Sequence, residues 1–130
     1  MTRLAAVCVG GLAALAVMTG CAPGATFASS VTTAGVDPDM PGYVTASGIV
    51  TGVAEDGGLC MFTFWADNGE ATRLSGDGRR DGDHTACGPV SEPLGFMRGE
   101  RYDVQLTYES LTGKRVTSDR FPMELPNPAP

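Results

Sequence analysis

The clearest alternation of apolar and polar positions lies at residues 101–109, RYDVQLTYE. Tyr102, Val104, Leu106 and Tyr108 fall on one side, and Arg101, Asp103, Gln105, Thr107 and Glu109 on the other. A period of two with one apolar side predicts a half-buried antiparallel strand. Residues 59–66, LCMFTFWA, form a strongly apolar run of strand length. Asp67-Asn68-Gly69-Glu70 then reads as a hairpin turn, because Asn-Gly tolerates positive φ, and 71–75 reads as the returning strand. Upstream, 44–54 is β-prone but glycine-bearing, which predicts a bulged or edge strand, closed by a turn at Glu55-Asp56-Gly57-Gly58. Downstream of the hairpin, GDGRRDGDH (76–84) reads as a loop and TACGPV (85–90) as a short strand. Residues 110–113 turn the chain into a last strand at 115–125, which Pro122 confines to a sheet edge. Six short strands with frequent turns predict an all-β fold, a small antiparallel β-sandwich over residues 43–125, with a Pro-rich tail at 126–130.

The first 42 residues follow different rules. Leu4 to Met18 is an uncharged apolar run of 15 residues behind the single positive charge of Arg3. It is shorter than the roughly 20 residues a membrane-spanning helix needs, and it fits a signal-peptide core. Met18-Thr19-Gly20-Cys21 ends that run and resembles the bacterial lipobox: usually Leu, a small residue, Gly or Ala, then Cys. The resemblance implies cleavage of a lipoprotein signal peptide, 1–20, and acylation of Cys21 with palmitate-type chains. Two such chains give a stable membrane anchor. Met18 stands where Leu is usual. The alternatives are a retained membrane helix or an ordinary secreted protein cut after Ala22 or Ala25. Residues 22–42 lack periodicity and are rich in Ala, Gly, Pro, Ser and Thr. With Cys21 they are expected to form a lipidated, disordered tether, with an r.m.s. span of roughly 25 Å.

Charge narrows the partners. The chain carries nine basic and 15 acidic residues, a net charge of −6. Removal of Arg3 with the signal leaves eight against 15, or −7. An acidic surface attracts neither nucleic acid nor anionic lipid, so no nucleic-acid partner is expected. The membrane enters as a partner through the acyl chains on Cys21, with a cell-wall or protein ligand beyond it, and a monomer is expected. The implied localisation is extracytoplasmic and lipid-anchored to the cell membrane.

Once Cys8 is removed and Cys21 acylated, Cys60 and Cys87 remain in an oxidising compartment and are expected to form a disulfide. The stretch FMRGERYDVQL (96–106) resembles the Leu-x-Pro-Gly-x-x-Tyr-x-Val-x-Val stretch of fibronectin type III domains. The resemblance implies an immunoglobulin-like sandwich in which Tyr102 forms a tyrosine corner, its hydroxyl bonding to nearby backbone. Phe96 and Arg98 stand where Leu and Pro are usual. Cys87 precedes the Tyr102 strand, whereas the second immunoglobulin cysteine lies two residues after that tyrosine. The overall layout is similar to small actinobacterial lipoproteins.

Candidate chemistry is sparse. An EF-hand loop begun at Asp77 would place Arg79 at the third position and Gly88 at the twelfth, where oxygen ligands belong, so no metal is expected. His84 and Cys87 have metal-ligand spacing, but the disulfide claims the thiol. No Gly-x-Ser-x-Gly elbow is present, and a hydrolase would have to use His84, the lone histidine. The expectation is a non-enzymatic, cofactor-free binding or structural module of the cell envelope. The alternative is an accessory or carrier subunit presenting a wall glycan, lipid or peptide. Its candidate surface follows from strand alternation at 59–66. If Cys60, Phe62, Phe64 and Ala66 point inward, then Leu59, Met61 and Trp65 form an outward apolar stripe.

Overall fold

The computed structural model describes residues 26–97 and 99–126. The segment expected to be a signal peptide, Cys21 and the last four residues lie outside that range. Among the described residues no helix is long and apolar enough to cross a membrane.

Among the described residues, nine strands build two antiparallel sheets. In chain order they are β1 (Ala28–Val36), β2 (Tyr43–Thr51), β3 (Leu59–Ala66), β4 (Ala71–Asp77), β5 (Arg79–Asp81), β6 (His84–Pro93), β7 (Arg101–Glu109), β8 (Arg115–Thr117) and β9 (Phe121–Glu124). One short 3₁₀ turn, Leu94–Phe96, leads from β6 toward β7. The first sheet runs β9-β7-β3-β4, with β8 also paired to β7; the second runs β1-β2-β6-β5. Labelled by the strand letters of an immunoglobulin sandwich, these are G-F-C-C′ and A-B-E-D, so the arrangement is compatible with that fold.

The core lies between the sheets. Val44, Val50, Phe62, Phe64, Val104, Leu106 and Tyr108 are all fully buried. The β7 side chains alternate buried and half-exposed along most of the strand, as its period-two sequence requires. The Cys60–Cys87 disulfide forms, with Cα atoms 5.8 Å apart, and ties β3 of one sheet to β6 of the other. In immunoglobulin domains the corresponding bridge joins B to F. Here it joins C to E, which is why Cys87 comes before the tyrosine strand.

Three sequence expectations need correction. Residues 28–36 are not tether but strand β1, paired with β2 from Ala28↔Thr51 to Val36↔Val44. Only Val31 is deeply buried on it, so the strand depends on its backbone ladder and carries no amphipathic signal. Ser29 Oγ also donates to the Leu106 carbonyl on the opposite sheet, 2.9 Å away. The sandwich therefore begins near residue 27, not 43. The loop at 76–84 contains β5, and the expected final strand is two strands, β8 and β9, interrupted at Ser118. Both lie along β7, and Pro122 sits on the edge strand β9 as its missing N–H demands.

Candidate functional site

Strand β3 places the candidate surface. Cys60, Phe62 and Phe64 have no exposed area; of the alternate residues, Leu59, Met61 and Trp65 reach the outer surface, whereas Thr63 between them is buried. Leu59 is 41% exposed, and Met61 and Trp65 are half-buried. The stripe Leu59-Met61-Trp65 thus lies on the outer side of the β9-β7-β3-β4 sheet. It floors a shallow groove of about 320 Å³ whose walls include Arg73 of β4 and Thr107 and Thr117 beyond it.

Trp65 is held by its neighbours. Its indole N–H donates to Gln105 Oε1 at 2.9 Å. The Arg73 and Arg120 guanidinium carbons lie 5.9 and 5.1 Å from the ring centroid, within cation–π range. Arg120 also reaches Asp103 Oδ2 at 3.5 Å. At the other end of the groove Arg115 pairs with Glu109 at 3.2 Å. Thr107 and Thr117 share a hydroxyl hydrogen bond of 3.0 Å. An apolar floor, an aromatic ring fixed in orientation and a rim of charges and hydroxyls meet on this side of the sheet. The sequence located the stripe through alternation. It gave no sign of Arg73 and Arg120, which reach Trp65 from separate strands and loops.

Tyr102 makes the expected corner: the Gly99 N–H donates to its hydroxyl at 2.7 Å. This is a structural clasp at the start of β7, with the ring buried. His84 lies at the tip of the β5–β6 hairpin. Its ring nitrogens face the hairpin's own Asp81 and Asp83 at 3.5 and 3.4 Å. Among the described residues no group of three or more His, Cys, Asp or Glu side chains is arranged to hold a metal ion.

A second polar cluster, unread in the sequence, closes one end of the sandwich. The fully buried Tyr108 donates its hydroxyl to Glu55 Oε2, which also accepts the Leu111 N–H at 3.0 Å. Burial first, then the Glu55 hydrogen bond and charge, push the Tyr108 phenol far above its ordinary value. Thr85 Oγ1 donates to the Val53 carbonyl and accepts the Glu55 N–H, fixing the same loop. Every group in this cluster is satisfied within the protein, so it braces the fold.

A smaller concavity of about 180 Å³ lies beside the β3–β4 turn, with Asp67, Glu70 and the exposed Phe96 on its rim. No protein-family model matches the sequence, and comparison with curated proteins and with solved structures finds no similar protein.

Proposed function

We propose that the chain is a lipid-anchored, non-enzymatic binding or structural module of the cell envelope, and that the outer side of β3 is its contact surface. The observation that carries the reading is the outward stripe Leu59-Met61-Trp65 in its groove, on a domain otherwise rich in acidic side chains. Apolar stripes rimmed by polar groups mark interaction sites, and Trp and Arg are favoured at their energetic centres. The immunoglobulin-like assignment is supported by the strand order and by the Tyr102–Gly99 clasp. A carrier or accessory role, holding a wall glycan, lipid or peptide for a partner, would use the same surface. A hydrolase built on His84 is the less favoured reading, because among the described residues the ring faces only Asp81 and Asp83 and no hydroxyl or thiol nucleophile is hydrogen-bonded to it.

The anchor rests on the Met18-Thr19-Gly20-Cys21 boundary. Cys21→Ala should move the protein from the membrane fraction into the medium; retention in the membrane would refute the anchor. The contact surface is tested by placing a photo-reactive side chain at Met61 and, as control, at Ser91 on the other sheet. In intact cells Met61 should form an adduct that Trp65→Ala removes, while Ser91 should not. Equal labelling from both positions would overturn the assignment.

A further inference from the structure

The outer side of the β9-β7-β3-β4 sheet is complementary to itself. Met61 lies opposite Ser75 on β4 and Thr107 on β7, and Thr107 lies opposite Thr117 on β8. These four form an uncharged row across the sheet. On β4, Arg73 stands two residues to one side of the row and Asp77 two residues to the other. Both are exposed, and among the described residues neither has an ion-pair partner. The other arginines placed on this side, Arg101, Arg115 and Arg120, each have a carboxylate within 4.0 Å. The two unpaired charges are therefore of opposite sign and equidistant from the row.

Apolar groups also flank the row. On β3, Trp65 lies four residues to one side of Met61; on the other side β3 begins at Leu59 and is preceded by the turn that holds Gly57, φ +104°. Above Gly57 sits Leu111, 63% exposed, its Cδ2 3.7 Å from where a Gly57 Cβ would stand. A projecting leucine and the tryptophan thus lie on opposite sides of the same row.

We infer that this surface pairs two copies of the chain through a two-fold axis along the Ser75-Met61-Thr107-Thr117 row. Such an axis lies between the facing sheets and reverses the strand direction from one copy to the other. It brings Arg73 against Asp77 of the second copy and Leu111 against Trp65 of the second copy. Each contact occurs twice, as in any isologous interface. The proposal rests on reading the outer side of β3 as the contact surface and names its partner as an identical chain. Four strand columns at about 4.8 Å and a length near 25 Å give on the order of 500 Å² per copy. That is the low end for a specific interface, so the dimer should dissociate on dilution.

Charge reversal tests it by sedimentation equilibrium on the chain exported with Cys21→Ala. The parent should dimerise reversibly. Arg73→Asp alone and Asp77→Arg alone should each weaken the dimer by about tenfold or more, because each places like charges in contact twice. An equimolar mixture of the two, or one chain carrying both changes, should recover the parent affinity. Arg73→Gln, which removes one charge and adds none, should weaken it to a lesser degree and covers the case in which Arg73→Asp fails to fold. A parent that stays monomeric to about 1 mM, charge reversals without effect, or failed recovery in the mixture would each overturn the inference. The failure of the underlying reading looks different. There Trp65→Ala would unfold the domain as severely as a core deletion, whereas loss of the dimer alone leaves the Met61 adduct with some other partner.

Discussion

A methyl group added at Gly58 tests the end cluster directly. Gly58 is buried at the head of β3, and an ideal Cβ built there stands 2.4 Å from Tyr108 Cζ and closer still to its hydroxyl oxygen. Those are atoms of a ring fully enclosed in the core, so they have no free space into which to move. The ring is walled on another side by Gly78, where a Cβ would meet Tyr108 Cε1 at 2.9 Å. Gly58→Ala must therefore displace Tyr108 and separate its hydroxyl from Glu55. Overpacking of a tight core costs about 1–3 kcal/mol. Loss of a hydrogen bond to a charged group costs about 1.5–3 kcal/mol more. The sum, roughly 2.5–6 kcal/mol, is a large part of the stability of a domain this size.

Thermal unfolding followed by Trp65 fluorescence reads the effect. At roughly 4–8 °C per kcal/mol the midpoint should fall by at least about 10 °C. A double-mutant cycle isolates the cause. In a Tyr108→Leu background the clashing atoms are gone, and Gly58→Ala should cost less than about 1 kcal/mol. A midpoint within about 4 °C of the parent would refute the reasoning. So would the same cost in both backgrounds, which would place the strain elsewhere than at Tyr108.

Other outcomes follow from the same geometry. Reducing Cys60–Cys87, which encloses 26 intervening residues, should lower stability by roughly 3–4 kcal/mol in denaturant titrations, and native protein should show no free thiol from either position. Tyr102→Phe should cost about 1–3 kcal/mol, because the Gly99 N–H loses its acceptor; no change in melting would remove the clasp from the structural argument. Phe62→Ala should cost roughly 3–5 kcal/mol as a core deletion, whereas Trp65→Ala on the outer side should leave the melting midpoint almost unchanged. The raised Tyr108 phenol favours the protonated form in the folded state, so its contribution is intact below the unfolded value near pH 10. Stability should then fall as pH rises above about 10, and less steeply in Tyr108→Phe; equal slopes would show that Tyr108 is not the linked group.

What the sequence disclosed depended on whether the signal was local. Strands β3 and β7 begin and end where their patterns say, because each pairs on both edges and buries one full side. The tyrosine corner was legible because donor and acceptor are three residues apart. Strand β1 was illegible for the opposite reason. It sits at a sheet edge and buries little beyond Val31, so its small polar residues read as linker. The break between β8 and β9 is a backbone substitution that composition does not encode. Ser118 exchanges bonds with Leu106 through its own N–H and its hydroxyl, which takes the place of a ladder partner. At the candidate site, alternation gave the direction of Leu59, Met61 and Trp65. The arginines beside Trp65 come from positions 73 and 120, and Glu55 meets Tyr108 across 53 residues. Only the fold makes them neighbours.

The position of β1 also constrains how an anchored chain can pair. Phe27 packs against the core, so only six residue steps separate it from Cys21. At about 3.3–3.6 Å per step the reach is at most about 22 Å, well below the extended length of a 21-residue tether. A lipidated Cys21 would therefore hold the domain close to the bilayer. Two anchored copies can share an axis only if it stands normal to the membrane, with both β1 strands on the membrane side. The inferred axis runs across the strands, from the β8–β9 edge to the β4 edge. Strand β1 lies on the β8–β9 side, where Ser29 reaches Leu106. Both chains would then leave toward the same bilayer, at opposite ends of the dimer. Confinement to a surface raises the effective concentration of a weak pair. Cross-linking between copies should accordingly be stronger for the acylated protein on vesicles than for the Cys21→Ala protein at the same total concentration. Equal yields would mean that the anchor holds the copies in an orientation the two-fold does not allow.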